Sequence, residues 1–264
     1  MGRQVIQNAS FFFSPTGTTR RIVKSISQGL ALRPRDFDLT LPASRERGVT
    51  LERDELLVLA FPVYGGRLPE LIKDYFVKLP SGRRPAAAVV VYGNRAYEDA
   101  LLELYDLCHA KGYEVVGAAA FIGEHAYSQV MGRARPDPAD DERARCFGLG
   151  VRQTLLSDSF LSDKPILNKG GHRPYRPYPK RLPFTPETSR RCAKCLACVH
   201  NCPVGAFIGD DPKKINRDKC IFCAACIKIC PEKAKAFVDD DFCDDMAALA
   251  AANLERKEPV TFLP

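Results

Sequence analysis

One segment limits the fold of this 264-residue chain more than any other: Cys192-x2-Cys195-x2-Cys198-x3-Cys202-Pro203, which recurs 28 residues later as Cys220-x2-Cys223-x2-Cys226-x3-Cys230-Pro231. Eight of the eleven cysteines fall in this block, and Cys108, Cys146 and Cys243 lie outside it. A disulfide framework spreads its bridges through a fold, whereas clustering at CxxC spacing indicates metal and a reducing compartment. Zinc would typically take two CxxC pairs, four ligands in all. Eight thiolates in this spacing suit iron–sulfur cubes, each run of three wrapping three corners and a fourth cysteine coming from the other half.

The spacing resembles the bacterial two-cluster ferredoxins. That resemblance implies two [4Fe-4S] clusters, one on Cys192, Cys195, Cys198 and Cys230 and the other on Cys220, Cys223, Cys226 and Cys202. Apolar neighbours such as Leu196, Val199, Ile221, Phe222 and Ile227 would keep water from them. Ferredoxins of this sort are often acidic, but this segment is basic, so its redox partner protein is expected to present an acidic surface.

The first 161 residues alternate short apolar runs with helical periodicity. Strands are expected at Val5–Phe13, Phe37–Leu41, Leu56–Phe61, Ala86–Tyr92 and Val115–Ile122, and helices at about Thr18–Leu32, Leu68–Leu79, Tyr97–Ala110 and Ala139–Leu161. Runs that are apolar throughout suit strands covered on both faces. The expected fold is α/β, a doubly wound five-stranded parallel sheet, followed by a small α+β unit around the cysteines.

Ligands of such sheets sit beyond the C-terminal ends of the strands. Three loops there are unusual: Ser14–Thr19, Pro62–Arg67 and Gly93–Tyr97. The first presents Ser14, Thr16, Gly17, Thr18 and Thr19 at the start of a helix, as an anion site does, yet it has neither the lysine of a nucleoside-triphosphate loop nor GxGxxG. The second, Pro62, Val63, Tyr64, Gly65 and Gly66, and the third, Gly93, Asn94, Arg95 and Tyr97, each add an aromatic side chain. A monophosphate on a flat ring fits this set.

The region resembles the flavodoxins, whose S/T-x-T-G-x-T loop is matched by Ser14, Thr16, Gly17 and Thr19 and whose G-[DN]-x-x-Y loop by Gly93, Asn94 and Tyr97. The resemblance implies FMN, with Tyr64 and Tyr97 flanking the ring. Arg20 and Arg21 depart from a neutral cradle, and the chain has no Trp to stack on a flavin.

Four segments are expected: 1–161 for FMN, a proline-rich linker at 162–190, the cluster unit at 191–238 and an acidic helical tail at 239–264. The linker acts either as a tether or as a strap anchored by Tyr175 and Tyr178. Apolar runs fall short of the ~18 residues that suggest a membrane span, no export signal is evident, and the cytoplasm is expected. Net charge is +7, concentrated in linker and cluster unit, without the interleaved aromatics that nucleic acid would require. The whole resembles the fused flavodoxin–ferredoxin proteins of anaerobes. It implies an electron carrier between clusters, FMN and a protein partner, with the cluster unit docking at the flavin edge in the same chain or across a homodimer. The alternative is an FMN-dependent reductase of a small substrate, for which Arg67, Arg95 and Tyr127 are the nearby candidates.

Overall fold

The computed structural model describes residue 5 and residues 7–52, 55–157 and 159–264. Ile6 of the expected first strand and Asp158 of the expected last helix lie outside these. The order is β1 (Gln7–Phe12), α1 (Thr18–Leu30), β2 (Arg33–Asp38), α2 (Pro42–Glu46), β3 (Glu55–Pro62), α3 (Glu70–Lys78), β4 (Arg84–Tyr92), α4 (Ala100–Ala110), β5 (Tyr113–Ile122) and α5 (Pro138–Ser157).

Side chains alternate across the strands, so one sheet feeds two cores. Phe11, Leu57, Leu59 and Phe61 enter one core with Ile72 and Phe76 of α3 and Leu101 and Leu104 of α4. Phe12, Leu56, Val58 and Ala60 enter the other with Ile22 and Ile26 of α1 and Phe147 and Val151 of α5. The five strands pair in parallel in the order β2-β1-β3-β4-β5, which is the flavodoxin-like doubly wound order.

Two edges differ in detail from the sequence pattern. Strand β2 starts earlier than expected: its apolar content is one residue, Phe37, which stacks on Phe11 at 4.4 Å, and pairing with β1 rather than periodicity sets its span. At the other edge the sheet gains a sixth strand, β8 (Val260–Phe262), antiparallel to β5 with Ala119 opposite Thr261.

Between the edges run α6 (Lys164–Leu167), β6 (Glu187–Thr188), α7 (Ala197–His200), α8 (Ala225–Lys228), β7 (Lys235–Ala236) and α9 (Asp240–Ala251). The cysteine segment repeats in conformation as well as sequence. Lys194 and Leu196 have φ of 54° and 59°, and their counterparts 28 residues on, Phe222 and Ala224, have 53° and 57°. These left-handed residues turn each CxxCxxC loop back on itself. The N–H of Ala206 donates to Cys202 Sγ and that of Ala234 to Cys230 Sγ, both at 3.2 Å.

Residues 172–181 form a strap across the α/β unit. Asp99, fully buried, accepts from the backbone N–H groups of His172 (3.0 Å) and Arg176 (2.7 Å). Arg67 lies 4.8 Å from the Tyr175 ring centroid and 4.3 Å from that of Tyr178, so both tyrosines act as the anchors of a strap. Beneath them Glu103 accepts from Arg67 (2.8 and 2.9 Å) and the Leu68 N–H (3.1 Å) and pairs with Lys73 at 2.8 Å.

Candidate functional site

The loop after β1 brings hydroxyls and backbone N–H groups together ahead of α1. The Ser14 N–H donates to Thr40 Oγ1 (2.9 Å) and Ser14 Oγ accepts from the Arg20 N–H (3.0 Å). Gly17, at φ 87°, turns the chain into α1, which has no side-chain cap. The N–H groups of its first turn lack intrahelical acceptors. Among the described residues Thr19 Oγ1 is buried without a hydrogen-bond partner, an orphan donor that a phosphate oxygen would satisfy. The two arginines are held elsewhere: Arg20 pairs with Asp38 and Arg21 with Asp141.

Thr16, Thr18 and Thr19 line a cavity of about 360 Å³, within the range of small-molecule sites. Of the other expected residues, Pro62, Val63, Tyr64, Gly65, Gly66, Gly93 and Arg95 line it, while Ser14, Gly17, Asn94 and Tyr97 do not. Tyr97 is packed edge-on against Tyr92 at 5.5 Å in the core, and Tyr92 lines the cavity instead. Asn94, 1% exposed, clamps the tail: its Nδ2 donates to the carbonyls of Asn253 and Glu255, both at 2.8 Å. Gly65 and Gly66 serve the strap as well as the cavity. A Cβ on Gly65 would lie 2.7 Å from Pro179, and one on Gly66 would lie 1.7 Å from Glu98 Oε2.

Two further walls were not expected from sequence, and a third, the cysteine segment, was expected at this edge. The loop after β5 supplies Gly123, Glu124, His125, Ala126 and Tyr127; α9 supplies Phe242, Met246 and Leu249; and the cysteine segment supplies Cys220, Ile221, Phe222 and Cys223. In the first two, only Tyr127 carried a sequence signal, as an aromatic beyond a strand end. Its hydroxyl donates to the Phe222 carbonyl at 2.6 Å, and its ring meets Phe237 and Phe242 edge-on at 5.4 Å. Lys228 pairs with Glu124 at 3.0 Å, and Arg45 donates to the Pro203 carbonyl at 2.5 Å. Burial, then Cys223 and Tyr127, push the Tyr64 phenol well above its ordinary value. The cysteine unit is therefore docked on the cavity mouth within one chain.

A second, smaller cavity is lined by Cys192, Cys195, Cys198 and Cys230 with Leu196, Pro212 and Lys235. The sequence-expected ligands of one set thus converge, three from one repeat and the fourth from the other. In the second set Cys202 acts electrostatically on both Cys220 and Cys223. Burial pushes the Cys226 thiol up to about 12 and the Cys223 thiol higher. Among the described residues no group of three or more His, Cys, Asp and Glu converges as a single-ion site does. Cys108 is fully buried in the core, and Cys146 and Cys243 are exposed.

Comparison with known proteins identifies the smaller unit. Residues 191–235 match the 4Fe-4S dicluster domain family. The search of curated proteins returned no match. Among solved structures, the chain is similar to a flavodoxin from the domain Archaea (12% identity, 57% of this chain and 99% of that one, TM-score 0.43). It is also similar to a flavodoxin from Streptococcus pneumonia (18%, 58% and 99%, TM-score 0.40) and to an NADH:FMN oxidoreductase in its apo form (18%, 64% and 96%, TM-score 0.42). The chain joins an α/β unit with the flavodoxin-like strand order to a segment that matches the 4Fe-4S dicluster domain, and no helix among the described residues is long and apolar enough to cross a membrane.

Proposed function

We propose that this chain is an electron-transfer protein that relays electrons between two [4Fe-4S] clusters, FMN and a redox protein partner. Thr16, Thr18, Thr19 and the N-terminus of α1 would hold the FMN phosphate; Tyr64, Tyr92, Gly93, Arg95 and His125 would surround the rest. One cluster would rest on Cys192, Cys195, Cys198 and Cys230, the other on Cys220, Cys223, Cys226 and Cys202. Bound there, the clusters exchange electrons singly and the flavin singly or in pairs, which makes the assembly a converter between the two kinds of chemistry.

The observation that carries this reading is that Cys220–Cys223 and the anion loop are walls of the same cavity. Tyr127 and Ile221 bridge the two units, Tyr127 by its hydrogen bond to the Phe222 carbonyl and Ile221 by packing against the α/β core. The other cysteine set opens outward, with Cys195 exposed beside Lys194, Arg190 and Arg191, a basic collar suited to an acidic partner. The groups nominated for substrate chemistry are committed elsewhere: Arg67 to Glu103, Arg95 to Glu98, and Tyr127 to Phe222. This favours the carrier over the reductase.

The test begins with anaerobic reconstitution, which should give about eight irons per chain and one flavin that heat releases as FMN. A limiting one-electron donor should then bleach the flavin band at a rate independent of protein concentration. A rate proportional to concentration would overturn transfer within one chain.

A further inference from the structure

One position of the duplication carries a ring in the first half-repeat and a buried lysine in the second. Phe207 in the first corresponds, 28 residues on, to Lys235 in the second. Lys235 is 4% exposed. Its Nζ donates to Thr188 Oγ1 and to the Pro212 carbonyl, both at 2.7 Å, and stands 4.9 Å from the ring centroid of Phe207, its own counterpart. Among the described residues it has no carboxylate partner.

Burying an ammonium without a counter-ion is unfavourable unless its charge meets a compensating one. The compensating groups here are sulfurs. Lys235 lines the cavity of Cys192, Cys195, Cys198 and Cys230, and Glu232, which lines it too, forms no ion pair with Lys235 among the described residues. Thr188 and Pro212 occupy two of its three protons and fix where the charge sits. Because the repeat places an aromatic ring at the equivalent site, the segment carries this charge once.

We propose that the Lys235 ammonium is a buried counter-charge of the iron–sulfur cluster held by Cys192, Cys195, Cys198 and Cys230 and raises its reduction potential. The inference rests on the cluster assignment above. Each electron that enters a cluster brings one negative charge into the protein, and a fixed positive charge in a dry surrounding stabilises that state. Lys235 is a positioning residue for charge: it touches neither flavin cavity nor partner surface.

The test uses the full chain, reconstituted anaerobically, with iron counted before a mediated redox titration followed by electron paramagnetic resonance. Lys235→Met should lower the reduced-to-oxidised ratio of this cluster at a fixed potential at least tenfold, a shift of about 59 mV for a one-electron couple. Lys235→Arg should keep the parent midpoint. Thr188→Val, which removes one anchoring bond and leaves the charge, should lower the melting temperature without moving the midpoint. If Lys235→Met loses iron, Lys235→Gln is read in the same way. Full iron with an unmoved midpoint in either neutral variant overturns the proposal. Loss of iron in Met and Gln but not Arg supports it, and loss in all three, Arg included, overturns it in favour of packing. Absence of clusters in the parent chain would instead overturn the cluster assignment.

Discussion

The Thr19 hydroxyl is buried with no partner among the described residues, so the protein without ligand carries an unsatisfied donor that costs stability. Thr19→Val should therefore leave the unliganded chain equally or more stable in urea. It should weaken FMN binding by ~1.5–3 kcal/mol, the worth of a hydrogen bond to a charged acceptor, or about tenfold or more in Kd. Weakened stability with unchanged flavin titration would contradict the cradle. His125 gives a pH prediction. Burial, then Arg95 and Lys228, lower its pKa from 6.5 to about 4. As pH falls below 6.5 the unfolded chain takes the proton first, and stability declines until about pH 4, where the folded form takes it too. Linkage caps the loss at about 3 kcal/mol, and His125→Asn should flatten denaturation midpoints over that window. Thr19 was legible because its signal is local, a hydroxyl at a fixed offset from a turn glycine. Tyr97 and Asn94 misled for the opposite reason. Their orientation follows from partners far along the chain, Asn94 from Asn253 and Glu255, and adjacency in sequence does not encode it.

At the scale of elements, two buried carboxylates hold the strap, Asp99 through the strap backbone and Glu103 through Tyr178 and Arg67. Glu103 is 1% exposed; burial pushes its carboxyl up, but hydrogen bonds from Arg67 and Lys73 and from the Leu68 N–H hold it below its ordinary value. Glu103→Gln removes one member of a buried charged set and should cost about 3–5 kcal/mol in denaturant. A loss under about 1 kcal/mol, the level of a surface pair, would show that the strap lies loosely. Asp99→Ala should free the backbone at His172 and Arg176 and speed tryptic cleavage after Lys180 and Arg181, the strap's basic residues not followed by proline, while the sheet stays resistant. The central strands were readable because burial on both faces leaves continuous apolar runs. Edges have no such pattern: β2 has Phe37 and β8 has three residues in all, and each is a strand because a neighbour offers unpaired backbone groups. Prolines at 174, 177, 179 and 183 signalled extension, but extended chain reads alike whether it spans solvent or lies on a surface.

For the whole molecule, the assignment of cysteines to two interlocked sets can be tested directly. Cys202→Ala should damage the cluster of Cys220, Cys223 and Cys226 and leave the other largely intact, visible as loss of one of two spectroscopically distinct signals; loss at the Cys192 set would refute the pairing. The sheet makes a further point. Strand β8, beyond the cysteine segment, pairs with β5, before it. The metal-binding unit is thus an insertion held at both ends, and cutting the chain at residue 161 would remove a strand from the first unit's sheet. On the ribosome this imposes an order. The edge of β5 stays open while the thiols emerge, and β8, which closes it, is synthesised after them. A chain stalled before residue 260 would therefore expose an unpaired edge beside the cysteine segment, a state prone to aggregate.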